Sequence, residues 1–454
     1  MNQIRAFLQK AYYTLSGWRF HDLKEFIRLH HGQQTSYNSA DFVLSLDTAL
    51  ACREKSHVKN AIISSMPPAD TGVATCNFKT LFEAEAEVDI FSTWDSIEAF
   101  ASFEANIKEG MSAFNYASMP LFAARRKYRN LVVSVGNSDH NFFAVMALTR
   151  FPYRTVCDNV SLHVHDGCLL NLADKLMSLQ GKTLMDGVLA TYKEADHDEL
   201  SAFAASCTER WRLIEGLVNR GIYGLRIVIE MTRPTRVLAN SAFAAEMVQK
   251  DYGPQGCPLP VAIAFHPIFL SDVRCTPYQR WHKDIELRVG TFGIPSESKG
   301  TYRIIEACRE LVKFGIRVRL VMAGFAVNTY LERTTNPIDD IAMEIHSDVL
   351  DDDLLDVMDG VHIAVQLRKR NLGESSGVIA SLIKKNVPTI VTATGSFKEY
   401  QYSCVLVEED VSASELAVSM LTLAQGNDYD SMHQSQVQYA ESHSSLKLCE
   451  TLFL

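Results

Sequence analysis

Gly373-Glu374-Ser375-Ser376-Gly377 lies between an apolar run and a helical pattern. Upstream, Val361-His362-Ile363-Ala364-Val365 reads as a buried strand, and downstream Val378, Ile379, Leu382 and Ile383 recur at helical spacing. A turn of small residues therefore joins a strand to a helix N-terminus. Free backbone N–H groups and the positive end of the helix dipole meet there, which suits a phosphate. The same residues also suit an ordinary capped helix, with Ser375 or Ser376 as N-cap. The charge of Glu374 would repel a phosphate unless its carboxylate addressed a neutral, hydroxyl-rich part of the ligand. Phosphate and polyol together imply a nucleotide sugar.

The chain has 454 residues, enough for two or three domains, and a hydrophobic content of 47%, ordinary for a globular protein. Its net charge of −10 argues against generic nucleic-acid binding. The cysteines are scattered without CxxC pairs or zinc-like spacing, many in apolar runs, and read as free thiols in a reducing compartment. No run approaches the ~20 apolar residues of a membrane span. The N-terminus lacks the apolar segment of a secretory signal, so the expected location is the cytoplasm.

From Ala61 onward strands and helices alternate, which predicts parallel sheets with helices on both faces. Ala61–Ser64, Val88–Phe91, Leu131–Val135 and Arg236–Asn240 read as strands, and Asp174–Leu213 as mostly helical. Pro254, Pro258, Pro260, Pro267 and Pro277 punctuate what reads as the inter-domain connection, and a second alternating set begins near Glu286. The predicted domains are a helical extension over 1–56, a first Rossmann-like domain over 57–270, a second over 271–430, and a C-terminal helical segment over 431–454. In the extension, Ile4, Phe7, Leu8, Ala11, Tyr12 and Leu15 keep helical spacing, and Arg5, Lys10, Arg19, Lys24 and Arg28 outnumber Asp22 and Glu25. Such an arm suits either packing on the body or peripheral contact with an anionic membrane at its inner face.

An ordered series of motifs resembles the C-terminal half of retaining GT-B glycosyltransferases of family GT4. It runs from Leu287-Arg288-Val289-Gly290-Thr291-Phe292-Gly293 through Ser298-Lys299-Gly300, Val318–Gly324, Ser347–Leu355 and Gly373–Gly377 to Val387–Thr392 and Gly395–Glu399. In the first half, Ser65–Ala74, Leu131–Ser138 and Leu162-His163-Val164-His165-Asp166 are similar to the family's cleft-lining strand ends. The resemblance covers roughly residues 60 to 425. It implies the GT-B fold, two Rossmann-like domains facing across a cleft, with a final helix crossing back to the first. It also implies transfer of a sugar, with retention of configuration, from a UDP- or GDP-linked donor to a hydroxyl of a glycan or lipid-linked acceptor. Such enzymes build cell-surface polysaccharide, lipopolysaccharide or other glycoconjugates. The nucleotide sugar is a co-substrate, and no cofactor or metal is expected.

The leaving diphosphate takes up negative charge, so the site must supply cations and N–H donors. Lys299 stands where the family places its diphosphate-binding lysine. The family's usual arginine position is Ile294 here, and Arg368, Lys369 or Arg370 could replace it, with Arg368 directly after the strand. Gly373, Ser375, Ser376 and Gly377 are expected to hold the distal phosphate, and Gly72 to allow close approach of the donor. The resemblance gives Glu374 contact with sugar hydroxyls and with the oxocarbenium-like state. The family's second glutamate falls on Leu382, with Glu399 as a substitute for its nucleotide contact. His165 is expected to face the reacting sugar, with His163 competing for that role. Asn137, His140 and Asp166 are assigned to the acceptor. The alternative reading is a catalytically weak GT-B homologue that binds a glycan or partner as a scaffold. The acidic run from Asp348 to Asp359 has helical, apolar-interleaved spacing and reads as a solvated face, not a metal site.

Overall fold

Ala61-Ile62-Ile63 and Leu131-Val132-Val133 carry apolar residues on both faces, so each must sit inside a sheet covered on both sides. They do so in a computed structural model that describes residues 58–119, 128–150, 157–269, 278–333, 340–426 and 429–454. The first sheet comprises β1 (Asn60–Ile63), β2 (Val88–Ser92), β3 (Met111–Asn115), β4 (Tyr128–Val135), β5 (Cys157–Val164), β6 (Arg236–Ala239) and β7 (Val261–Ile263). Its order is β3-β2-β1-β4-β5-β6-β7 and every pairing is parallel. The second sheet contains β8 (Leu287–Phe292), β9 (Val318–Gly324), β10 (Ala342–Ser347), β11 (Ile363–Gln366), β12 (Thr389–Thr392) and β13 (Val405–Val407). Its order is β10-β9-β8-β11-β12-β13, again all parallel.

The strand order reverses between β1 and β4 in one sheet and between β8 and β11 in the other. In open parallel sheets a ligand crevice lies outside the carboxyl ends of the strands at such a switch point. The loops that leave these four strands are Ser64–Thr71, Gly136–Ser138, Gly293–Gly300 and Leu367–Ser376. The fold is thus the expected pair of Rossmann-like domains. The N-terminal extension lies outside the described residues.

Two sequence readings change. The proline-punctuated stretch is not all connection: Val261–Ile263 is the edge strand β7, with Val237 N donating to Pro260 O at 2.9 Å to start the ladder. Pro260 costs nothing there because it precedes the strand. The helical stretch after β5 extends further than predicted, through five helices from Leu170–Ser178 to Leu225–Thr232 before β6.

At the C-terminus the helix Tyr429–Ser442 packs beside Gly377–Lys384, where Gln436 Nε2 donates to Val387 O and Ser403 O, both at 3.1 Å. The helix Ser445–Phe453 then lies on Gly72–Glu83 of the first domain. Leu448 and Leu452 join that domain's core, and Ser445 Oγ donates to Glu83 Oε2 at 2.7 Å. The chain therefore ends on the domain in which it began its first sheet.

Candidate functional site

A cleft of about 600 Å³ separates the two switch points. Thr71, Gly72 and Asp166 line it from the first domain, and Ser375, Gly377 and Val378 from the second. The helix Gly72–Glu83 opens into it, capped by Thr71, whose side chain accepts from Ala74 N at 3.1 Å. A Cβ built on Gly72 meets nothing within 4 Å, so a ligand can come directly against that backbone.

The second wall is shaped by Asn371, which is 3% exposed. Its Oδ1 accepts from Gly373 N (2.9 Å) and Ser396 N (3.1 Å), while its Nδ2 donates to Glu374 O (2.9 Å). This holds the loop in a compact turn. Ser376 is the N-cap of Gly377–Lys384, accepting from Ile379 N at 3.3 Å. Gly373 has φ +93°, and a Cβ there would lie 2.8 Å from Gly167 N. It is a point where the two domains interlock. Glu374 turns back on its own loop, with Oε2 accepting from Leu372 N at 2.8 Å.

Lys299 and Arg368 leave the ends of β8 and β11. Both are partly buried, and neither has an ion-pair partner among the described residues. Burial, and then repulsion from Arg368, lowers the Lys299 ammonium to about 8. A Cβ on Gly293 would stand 3.1 Å from Lys299 Nζ, so the amine lies over the glycine loop. Burial also lowers Arg368, whose guanidinium stands 5.9 Å from the Phe397 ring centroid. Its two neighbours are already engaged: Lys369 pairs with Glu297 at 2.5 Å and Arg370 donates to Asn219 Oδ1 at 3.0 Å. Of the three basic residues the sequence left open, Arg368 is the one without such a partner.

Glu399 is placed away from this pair. Its two carboxylate oxygens accept from Ala242 N (3.1 Å) and Phe243 N (3.0 Å), at the start of the helix Ala242–Asp251 in the first domain. A carboxylate at a helix N-terminus is well satisfied, so here Glu399 works as an inter-domain latch. Leu382 is fully buried in the core behind the loop.

In the first domain, Asp166 Oδ2 accepts from Asn137 N at 2.5 Å. Burial raises the Asp166 carboxyl to about 6, and the charge of Glu374 adds to the effect. Asn137 lines the cleft while its Oδ1 accepts from Asn171 N at 2.8 Å. The His140 side chain is exposed and outside the cleft lining; its carbonyl accepts from Ser65 Oγ at 3.3 Å. His165 lines the cleft, but both its ring nitrogens are turned inward, Nε2 to Ser134 Oγ at 2.9 Å and Nδ1 to Asn240 Nδ2 at 2.9 Å. Burial, then the neighbouring His163 and His266, drives its pKa well below the usual range. It is therefore neutral and is no base as placed.

Sequence reasoning missed three cleft residues. His266 follows β7 and binds Pro267 O through Nδ1 at 2.9 Å, which leaves Nε2 as an acceptor. A Cβ on Gly377 would come 3.7 Å from that nitrogen. Lys79 lines the same space with its ammonium 5.5 Å from the Phe269 ring centroid. Asn240 joins the two histidines. Each sits in a stretch without a motif, and only the topology brings them together. Among the described residues no group of three or more His, Cys, Asp or Glu could hold a metal ion, and no helix is long and apolar enough to cross a membrane. The acidic helix Asp351–Asp359 exposes Asp352, Asp353 and Asp356 and turns Leu354, Leu355 and Met358 toward the cleft.

The fold has counterparts among solved structures. Anabaena HepE in complex with UDP is similar over 87% of this chain and 98% of its own, with 12% identity and a TM-score of 0.56. The fold is GT-B. A glycosyltransferase from Rickettsia africae (10% identity, 87% and 96% coverage, TM-score 0.54) and a trehalose 6-phosphate synthase from Burkholderia multivorans (11%, 86% and 96%, 0.51) share it. No protein-family model and no curated protein sequence matches the chain.

Proposed function

We propose that this chain is a retaining, GT4-type glycosyltransferase that moves a sugar from a nucleoside diphosphate to an acceptor hydroxyl. The observation that carries this reading is the pair Lys299 and Arg368. Lys299 is repelled by the half-buried Arg368 at the switch point of the second sheet, and neither makes an ion pair among the described residues, the charge of Glu374 only partly offsetting the burial of Arg368. Such a pair is costly unless an anion binds it. A diphosphate fits this reading, because Ser375 and Gly377 line the adjoining cleft. The HepE structures contain UDP and UDP-glucose, which favours a uridine nucleotide as the first donor to try.

In the proposed reaction the bond from the sugar's anomeric carbon to the diphosphate breaks as the acceptor oxygen bonds on the same face. The acceptor's proton passes to the leaving phosphate oxygen. Lys299 and Arg368 hold the charge that develops on the diphosphate, so the step calls on no metal ion. Glu374 and His165 lie on opposite walls, and in this reading they border the reacting sugar. Glu374 favours its oxocarbenium-like charge once its carboxylate leaves the Leu372 amide. Asn137 and Asp166 flank the acceptor side. The product would be a cell-surface polysaccharide, lipopolysaccharide or related glycoconjugate.

The test is a thermal-shift and calorimetry panel of UDP, GDP, ADP and their sugars, followed by donor hydrolysis. A ligand that binds only the folded state at 100 times its Kd adds about 2.7 kcal/mol of stability. Stabilisation and hydrolysis together support the transferase. Stabilisation with no hydrolysis by any donor would favour the scaffold reading, for which the apolar residues Ile294 and Leu382, where the resemblance expects an arginine and a glutamate, and the latch role of Glu399 speak.

A further inference from the structure

Behind the cleft wall four side chains close a ring. Ser134 Oγ is 3.1 Å from His163 Nδ1, and His163 Nε2 is 2.6 Å from Asn240 Oδ1. Asn240 Nδ2 is 2.9 Å from His165 Nδ1, and His165 Nε2 is 2.9 Å from Ser134 Oγ. Ser134 and His163 are 0% exposed, Asn240 4% and His165 7%, so water does not compete for these bonds. The imidazoles lie 4.4 Å apart between ring centroids.

The protons can be followed round. The amide of Asn240 donates to His165 Nδ1, so His165 carries its proton on Nε2 and gives it to Ser134 Oγ. Asn240 Oδ1 accepts, so His163 carries its proton on Nε2. His163 Nδ1 is then a lone pair, and Ser134 donates its single proton there. Asn77 Oδ1, 3.1 Å from the same hydroxyl, competes for that proton. Were Asn77 to take it alone, lone pairs of Ser134 and His163 would face each other in a buried site. The closed ring avoids this at the cost of the Ser134 bond to Asn77 Oδ1, and each ring member gives one hydrogen bond and takes one. Both histidines are then neutral with a fixed tautomer.

Asn240 also stands at the domain junction. Its main-chain carbonyl accepts from Ser375 Oγ of the opposite domain at 3.3 Å, one residue before Ser241, whose Oγ reaches Gly373 O at 3.5 Å. We propose that Asn240 is a positioning residue for the transfer step, holding His165 neutral and immobile beside the reacting sugar from the residue on which the donor loop also rests. The chemical sense is electrostatic. The sugar gains positive charge in the transition state, and an imidazolium on that wall would oppose it. The titratable neighbours of the ring are His266, whose charge would repel either imidazole, and Asp166, the next residue after His165. This inference rests on the transferase reading for its consequence but not for its geometry.

The experiment is nitrogen-15 NMR of histidine-labelled full-length protein between pH 5.5 and 8, for wild type and Asn240→Asp, alongside UDP calorimetry and donor turnover. In wild type, His163 and His165 should each show one protonated and one bare nitrogen, Nε2 protonated in both, with no titration across the range. A carboxylate at 240 only accepts, so His165 must carry a proton on Nδ1. The variant should show that change, at least a tenfold loss in kcat, and a UDP Kd within about twofold of wild type. Titration of either histidine in wild type overturns the ring, even if the variant fails to fold. A changed tautomer with unchanged kcat overturns the positioning role. Failure of wild type to bind any nucleoside diphosphate would instead overturn the transferase reading, while the wild-type spectrum still decides the ring.

Discussion

Lys299 offers the sharpest quantitative test. Its ammonium is lowered to about 8, first by burial and then by Arg368. The charged form binds a diphosphate, and it is the form present below that pH. The sign follows: kcat/KM should be level on the acid side of 8 and fall as pH rises through it. The profile reports the free enzyme, so the inflection should lie near 8, with a limiting slope of about tenfold per pH unit. Replacing the lysine removes a charge-assisted contact worth about 1.5–3 kcal/mol, so Lys299→Ala should lose roughly 10- to 150-fold in kcat/KM at pH 7. The variant should also be flat across pH 7–9.5, because Arg368 keeps its charge there. Bound diphosphate should hold Lys299 protonated, so UDP binding at pH 8 should take up about 0.5 proton, measured by calorimetry in buffers of different ionisation enthalpy. A wild-type profile flat to pH 9.5, or a Lys299→Ala variant with wild-type kcat/KM, would refute the diphosphate assignment.

Four further outcomes are expected. Glu374→Gln should abolish most transfer while calorimetry with the nucleoside diphosphate stays nearly unchanged; lost diphosphate binding would remove it from the sugar side of the site. Asp166, raised to about 6, should give acceptor KM an acidic limb, worsening as pH falls through 6 and the carboxylate protonates, and Asp166→Asn should erase that limb; a limb that survives the substitution belongs to another group. Lys385→Met should cost about 3–5 kcal/mol in urea unfolding, because it leaves Asp359 without the buried lysine that now binds it at 2.9 Å; a change under 1 kcal/mol would mean that water reaches the pair. Removal of residues 1–30, which lie outside the described residues, should spare donor hydrolysis but weaken salt-sensitive binding to anionic vesicles; equal sedimentation with neutral and anionic vesicles would sink the membrane role.

What was legible in the sequence follows from how each feature is encoded. Strands buried on both faces announce themselves as apolar runs, which is why β4, β8 and β9 could be read directly. β3, as Met-Ser-Ala-Phe-Asn, and β10, as Ala-Met-Glu-Ile-His-Ser, could not. Both are edge strands in which polar residues interrupt the apolar run, although only β10 is open to solvent while β3 stays largely buried. The glycine-and-serine turn after β11 was legible as a strand-to-helix junction because its residues are local to one another. Its use of Gly373 was not, since only the approach of Gly167 from the other domain makes that position demand glycine. Glu399 shows the same limit: a carboxylate in sequence carries no sign of whether a ribose or a helix terminus lies opposite. The ring of Ser134, His163, Asn240 and His165 draws on β4, β5 and the end of β6. No spacing rule unites them, so reading His165 by its motif alone left out the partners that fix its proton.

The central claim is sugar transfer from a nucleoside diphosphate, and donor turnover tests it most directly. The full-length chain, given UDP-, GDP- and ADP-sugars in turn, is assayed for release of the nucleoside diphosphate against a Lys299→Ala control. The account predicts release from at least one donor by wild type, lowered roughly tenfold or more in the control. No release from any of them, together with no calorimetric binding of UDP, GDP or ADP, would contradict it.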